Sequence, residues 1–463
     1  MKIYNTLGRE LQEFKPINEH QVSFYQCGPT VYSRQHIGNL YSALKGDLIR
    51  RTLVYLGYEV KYVKNITDVG HLVSDEDEGE DKMEKGAKKE GITPSEIAKR
   101  YTDLYHNDLK KLDILEPDVE TVATQYVKKM ADMVQDLLNN GYAYVTDKAI
   151  YFDVDKFKNY TELSGQKLEE NKIGAGHGDE GDSEKKNPYD FAVWFFKVGK
   201  HANALQTWKH KFEGLEQPTE EGFPGWHIEC SAMSKATLGD TIDIHMGGIE
   251  HIPTHHTNEI AQSEAANGAK FTNYWLHHEH LLMDGGKMSK SLGNVYTIED
   301  LEEKGYSALD YRYFTLQSHY RSKQNFTWDA LDSAKIAREK LENTIAKYKE
   351  QSSESTVNQD YKEKLKEALS EDFNIPKALG IIWEITKSDI PVSEKLGTIL
   401  DFDSVLGLNL KDAELKTGSE SYSPEVQELI DERNKAREEK NWEKADEIRD
   451  RLKAEFGIEV RDK

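Results

Sequence analysis

The chain has 463 residues, with 61 Lys and Arg against 83 Asp and Glu, a formal net charge of −22 and 37% hydrophobic residues. That length can bury a large core, and two or three domains are expected at roughly 100 to 200 residues each. Met1 to Leu11 lacks the apolar core of a signal peptide, and no apolar run approaches the roughly 20 residues of a membrane span. The two cysteines, Cys27 and Cys230, are too few for a disulfide framework. A soluble, cytoplasmic protein is expected. Its acidity argues against a globally basic nucleic-acid binder but leaves room for a local basic stripe.

Val22, Phe24 and Tyr25 predict a short buried strand, which Gly28-Pro29 breaks into a loop. Leu40, Ala43, Leu44, Leu48 and Tyr55 then recur at helical spacing, with Asp47, Arg51 and Thr52 interrupting the apolar stripe. A helix from near Gly38 to Gly57 follows, then a strand at Val60 to Val63 before Asn65-Ile-Thr-Asp68. Such a βαβ unit places the unpaired amides of the helix start at the carboxyl edge of a parallel sheet, where phosphates bind. His36 and Asn39 stand there as side-chain donors, and Gly38 lets a ligand approach the backbone. The four residues alone would equally suit a capped helix.

Further along, Asp75, Asp77 and Gly79 invite an EF-hand reading, but Glu80 and Gly86 occupy positions that need glycine and glutamate, so a solvated loop is expected. Thr93-Pro94-Ser95-Glu96 is a capping box opening a helix whose Ile97, Tyr101, Leu104 and Leu112 face a core. A second helix is expected from about Val122 to Asn140-Gly141, and Tyr142 to Val154 reads as a hairpin. Gly174, Gly176 and Gly178 lie among acids with no preceding strand, which favours a flexible insertion over a phosphate loop. Gly225 to Met233 leads into a helix, and Ile242 to Glu250 is a strand running into a glycine turn. His255 and Glu259 then share one helical face. From Thr327 the pattern is helical, with polar breaks at Glu350 to Asn358 and Lys416 to Glu420 and a final helix pair opened by Ser423-Pro424.

Lys287-Met-Ser-Lys290-Ser291 stands far downstream of His36-Ile-Gly-Asn39, in a Gly-rich loop. Together, in this order, the two motifs resemble the HIGH and KMSKS signatures of class I aminoacyl-tRNA synthetases. Cys27, Cys230, His255 and Glu259 make a candidate Cys₂-His-Glu zinc set. By spacing alone the signal is weak, since there is no C-x-x-C knuckle and an i, i+4 His/Glu pair is more often a surface contact. Cys27-Gly-Pro-Thr-Val-Tyr, Asn65-Ile-Thr-Asp68, Pro224 to Met233, Asp243-Ile-His245, and His255-His256 with Asn258 to Gln262 complete a resemblance to the cysteinyl-tRNA synthetase family over essentially the whole chain.

That resemblance implies a Rossmann-like parallel-sheet catalytic domain in two halves, 1–122 and 225–326. A connective insertion at 123–224 divides them, and a helical anticodon-binding region spans 327–463. It implies Zn²⁺ on Cys27, Cys230, His255 and Glu259, taking the substrate thiolate as a further ligand, and an amino-acid pocket lined by Thr67, Trp226, His245 and Glu250. ATP with Mg²⁺ would meet His36, Gly38, Asn39, Lys287 and Lys290, of which His36, Asn39 and the two lysines would stabilise the transferring phosphoryl charge. The partners implied are L-cysteine, ATP and tRNA(Cys), with no membrane, and a monomer is expected. Glu250 stands where the family usually carries Asp, Gly70-His71 where many members carry two acids, and the chain stops soon after Gly457, short of a basic Trp-containing tail. Two alternatives share parts of the pattern. A ligase joining cysteine to an amino sugar would lack the helical region, and a non-catalytic RNA- or zinc-binding paralogue could lose a zinc ligand or a loop lysine.

Overall fold

The structure is a computed structural model that describes residues 1–70, 82–166, 184–286, 288, 293–415, 424–438 and 441–456. Its centre is a five-stranded, wholly parallel sheet in the spatial order Thr272–His278, Ile242–Gly248, Gln21–Gln26, Glu59–Ile66, Val119–Val122. Phe24 pairs with Tyr62 on one side and Ile244 on the other. Such strands are buried on both faces, which is why they read as near-continuous runs of Val, Ile and aromatics. Helix Ile37–Tyr55 connects the first pair. It begins one residue before Gly38 with His36 as its N-cap, and it ends where Gly57 takes φ 98°.

The helix expected from Val122 starts later. Val119–Val122 is instead the edge strand, paired with Val63 to Ile66, and the helix runs Val127–Asn139 after one 3₁₀ turn. Three β-branched residues, Val119, Thr121 and Val122, on an open sheet edge favour the extended ladder over a first helical turn. Its expected end holds, with Gly141 at φ 75°.

Successive strands run outward from Gln21–Gln26 in one direction through Val119–Val122, and later ones run outward in the other. The order therefore reverses between Gln21–Gln26 and Ile242–Gly248, and a ligand crevice opens at the carboxyl ends beside such a switch. Between the two halves of the sheet lies a second, antiparallel sheet built from Ala143–Val145, Ala149–Phe152, Phe191–Phe196, Trp208–Lys209 and Glu221–Pro224. Its first two strands form the expected hairpin, with Val145 opposite Ile150.

The polar interruptions in helix Ile37–Tyr55 have partners far along the chain. Asp47 Oδ2 accepts from Arg51 Nε (2.9 Å) and from Arg312 Nη2 (2.7 Å), and Arg312 Nε donates to the Leu406 carbonyl (2.6 Å). Helices Ala308–Leu316, Trp328–Gln351, Gln359–Ser370, Ile375–Lys387 and Val392–Leu406 share one core with helix Ile37–Tyr55. Helices Pro424–Glu438 and Trp442–Phe456 pack on each other through a small core of their own, which includes Val426, Leu429, Ile448 and Leu452. No described helix is long and apolar enough to cross a membrane. The acidic run at 75–80, most of the 174–187 insertion, the Lys416 to Glu420 break and Ser423 lie outside the described residues.

Candidate active site and metal centre

Cys27 directly follows strand Gln21–Gln26, and its amide donates to the Met246 carbonyl (3.0 Å). Gly28 makes its placement feasible: a Cβ there would lie 1.6 Å from the Asn65 carbonyl oxygen, so only glycine allows the two segments to close. The Gly28 amide donates to Asn65 Oδ1 (2.8 Å), Asn65 Nδ2 to Thr67 Oγ1 (3.1 Å), and Thr67 Oγ1 to Glu229 Oε2 (3.1 Å). Cys230 follows Glu229 in helix Trp226–Leu238, so this chain of bonds holds both cysteines against one strand end. His255 and His256 close a five-residue π-helical turn, Ile252–His256, before helix Thr257–Asn267. Single π turns of this kind recur at functional sites because they re-aim side chains.

These elements converge. One ligand atom from each of Cys27, Cys230, His255 and Glu259 lies within 4.8 Å of the others, all four residues being buried. Ligands around a tetrahedral zinc, about 2.0 to 2.3 Å from the ion, sit roughly 3.5 Å apart, so the set fits such an ion with small adjustments. Glu259 Oε1 is 3.0 Å from His255 Nε2 and Oε2 is 2.8 Å from His245 Nε2. His227 Nδ1 lies 3.0 Å from His255 Nδ1, the outer contact that fixes a ligating imidazole. Two thiols, an imidazole and a carboxylate are a borderline-soft donor set suited to Zn²⁺.

The electrostatics agree with that chemistry. Burial pushes the Glu259 carboxyl upward, but His245 and His255 outweigh it and hold the group well below its usual range. Burial likewise opposes protonation of His255, and the charges of Glu259 and Cys230 raise it to about 10. A hydrogen bond from Cys27, with help from His255 against burial, lowers Cys230 to about 7, while burial and Cys230 push Cys27 well up. The cluster thus eases ionisation of one of the two thiols.

A cavity of about 270 Å³ joins this cluster to the helix start. Cys27, Cys230, His255, Thr67, Trp226 and Glu250 line it, as do His36, Gly38 and Asn39. Trp226 stacks on the His255 ring at 4.5 Å between centroids. The half-exposed Glu250 carboxylate lies so close over Gly248 that a Cβ there would be 2.3 Å from its oxygens. His36 Nδ1 accepts from the Asn39 amide and Asn39 Oδ1 from the His36 amide, both at 3.3 Å, a reciprocal cap that aims the pair at the helix N-terminus. Met288 reaches this point from the downstream motif: a Cβ on Gly38 would meet its Cε at 3.1 Å. Lys287 and Lys290 lie outside the described residues.

Among the described site residues, Glu259 and His245 do not line the cavity. His245 is fully buried behind Glu259, stacked on Trp275 at 4.6 Å. Residues that the sequence reading left without a role also belong here. His256 Nε2 is 3.3 Å from Cys27 Sγ and its Nδ1 is 2.7 Å from His277 Nε2, so Cys27, His245, His256 and Glu259 form a second, overlapping ligand set. Asn65 and Glu229 sat within quoted motif blocks, and nothing in their spacing distinguished them from their neighbours.

Comparison with known proteins decides the family. The tRNA synthetases class I (C) catalytic domain matches residues 13–336, and the cysteinyl-tRNA ligase anticodon binding domain matches residues 419–463. A cysteine–tRNA ligase of Treponema denticola is 42% identical, covering 100% of this chain and 98% of its own. One from Borreliella burgdorferi is 39% identical, covering 97% and 95%. The chain belongs to the cysteine–tRNA ligase family. Its fold is that of the class I synthetases: Mycobacterium tuberculosis methionyl-tRNA synthetase in complex with methionyl-adenylate aligns with a TM-score of 0.58 at 14% identity, over 86% of this chain and 92% of that one. The anticodon-binding match also sets the chain apart from an amino-sugar ligase, which would lack that part.

Proposed function

We propose that this member of the cysteine–tRNA ligase family activates L-cysteine with ATP and transfers it to the 3′ end of tRNA(Cys), as a cytoplasmic monomer, with a zinc ion selecting the substrate. One observation carries the zinc reading: the two cysteines, His255 and Glu259 converge beside a cavity that Cys27, Cys230 and His255 line together with His36 and Asn39. The cysteine carboxylate attacks the α-phosphorus of ATP, forming the mixed anhydride and releasing pyrophosphate. A ribose hydroxyl of the terminal adenosine then attacks the activated carbonyl, forming the ester and releasing AMP.

The chain's own groups bind and orient the reactants, and no side-chain nucleophile is needed. Negative charge grows on the phosphoryl oxygens in the first step. The side chains of His36 and Asn39 are preorganised donors beside it, and Lys287 and Lys290 of the KMSKS motif add positive charge. Mg²⁺ accompanies the ATP phosphates. Thr67, Trp226 and Glu250 border the end where the amino acid would lie, and His245 acts through Glu259, whose second oxygen it holds. When bound, Zn²⁺ would favour the substrate's soft thiolate over a serine hydroxyl, so selection occurs at binding without an editing site.

The test is exchange of pyrophosphate into ATP, measured with cysteine, with serine and with no amino acid. Exchange that depends on cysteine alone is the expected result. Equal exchange with serine would defeat thiolate selection, and no exchange from folded, zinc-loaded protein would defeat the activation step itself.

A further inference from the structure

We propose that Lys64 is a further substrate-binding cation of this site: its ammonium takes an acidic oxygen of the reactants, either the amino-acid carboxylate or an ATP phosphate. This rests on the functional reading above and adds a residue that neither signature motif contains. Lys64 lies in strand Glu59–Ile66, directly before Asn65. Strand alternation sets it on the face of Tyr62 and Ile66, toward helix Ile37–Tyr55, while Val63 points to the opposite side. It is 4% exposed, yet it lines the same cavity as His36, Asn39, Thr67 and Cys27.

Its surroundings make a purely structural role costly. Among the described residues no carboxylate pairs with the ammonium, whose Nζ instead lies 5.2 Å from the centroid of the Tyr105 ring, another cavity wall. Burial lowers Lys64 to about 8, with the more distant Glu120 and Asp47 opposing the shift, so it remains mostly charged near neutral pH. A buried charge without a partner is strongly unfavourable, and a neutral side chain of similar length would fill the space without that cost. An anion entering the cavity removes the penalty. Both reactants bring one, and Lys64 is the only lysine or arginine among the described cavity-lining residues. A fixed positive charge lining the reaction cleft is the arrangement that stabilises developing phosphoryl charge.

The decisive comparison uses full-length, zinc-loaded wild type, Lys64→Met and Lys64→Arg in cysteine-dependent pyrophosphate exchange. Lys64→Met is expected to lower kcat/KM on the order of 100-fold, with partial recovery in Lys64→Arg. A rise confined to the KM for cysteine assigns the carboxylate, and one confined to the KM for ATP assigns the phosphate. Folded Lys64→Met with wild-type kcat and both KM values overturns the proposal. Acetic anhydride labelling of wild type, read at Lys64 by mass spectrometry, gives an independent answer should the Met variant not fold. Slower labelling with ATP or cysteine present supports contact, and an unchanged rate with both overturns it. Wild type that lacks cysteine-dependent exchange would instead sink the functional reading, and the labelling would still report on Lys64.

Discussion

Cys230 and His255 occupy positions where one atom decides the chemistry. Both are buried, both lie within the cluster shared with Cys27 and Glu259, and Cys230 is held near its ionisation point by its neighbours. Replacing the soft sulfur in Cys230→Ser, or deleting the imidazole in His255→Ala, is expected to weaken zinc retention by more than about 100-fold, since even an outer-contact change costs about 10- to 100-fold. Cysteine activation should fall with the metal, while ATP binding persists in any folded variant, because the His36-Asn39 cap is built independently. Metal content after dialysis against a chelator, measured alongside exchange, checks this. Stoichiometric zinc loss with undiminished, cysteine-selective exchange would contradict it. At this scale the sequence showed the His255-Glu259 spacing but not His256, whose neighbouring position alone gives no hint that a π turn brings it to Cys27.

Helix Ile37–Tyr55 carries the nucleotide end of the site on its first turn and buries polar groups along its length. Lys45 is 2% exposed, and its ammonium donates to the Thr315 and Ser318 carbonyls, each at 2.7 Å, with no carboxylate partner among the described residues. Burial lowers it from 10.5 to about 7. Between pH 7 and 10 the unfolded chain therefore binds more protons at this group than the folded one. Its contribution makes stability rise with pH across that window, by up to about 1.4 kcal/mol per pH unit, and gives no slope below about pH 7. Urea unfolding at pH 7, 8 and 9 should show that slope in wild type and a smaller one in Lys45→Met. Equal slopes would mean that the two carbonyls keep Lys45 charged throughout. The apolar stripe of this helix was legible from its spacing. The purpose of Asp47 and Arg51 was not, because their partners lie far along the chain: Arg312 is 265 residues from Asp47, and the Ser404 carbonyl is 353 residues from Arg51.

Over the whole molecule, the helical region after Thr327 divides in two. Leu396, Ile399, Phe402, Val405 and Leu406 belong to the core that includes helix Ile37–Tyr55, and Leu406 supplies the carbonyl that Arg312 uses. The last two helices have their own small core and lie within the anticodon-binding match. A chain ending after Leu415 is thus expected to keep cysteine-dependent exchange while tRNA charging drops sharply. A chain ending before Glu350 should lose both, because each large core side chain removed forfeits about 1.5 to 3 kcal/mol. Circular dichroism melts with exchange and charging assays on both truncations distinguish the cases. Full charging by the longer one would separate tRNA recognition from residues beyond 415.

Local rules made part of the protein legible in one dimension: the two signature motifs, the βαβ unit around the first of them, the capping box at Thr93, and a donor set chemically suited to zinc. Periodicity and capping act over a few residues, so they survive in one dimension. That Val119–Val122 is a sheet edge and that His245 stands behind Glu259 emerged with the folded chain. The fold alone placed Met288 over Gly38 and turned Lys64 into the cavity. Each of these depends on which segments the strand order brings together across long stretches of chain, and no local pattern encodes that proximity.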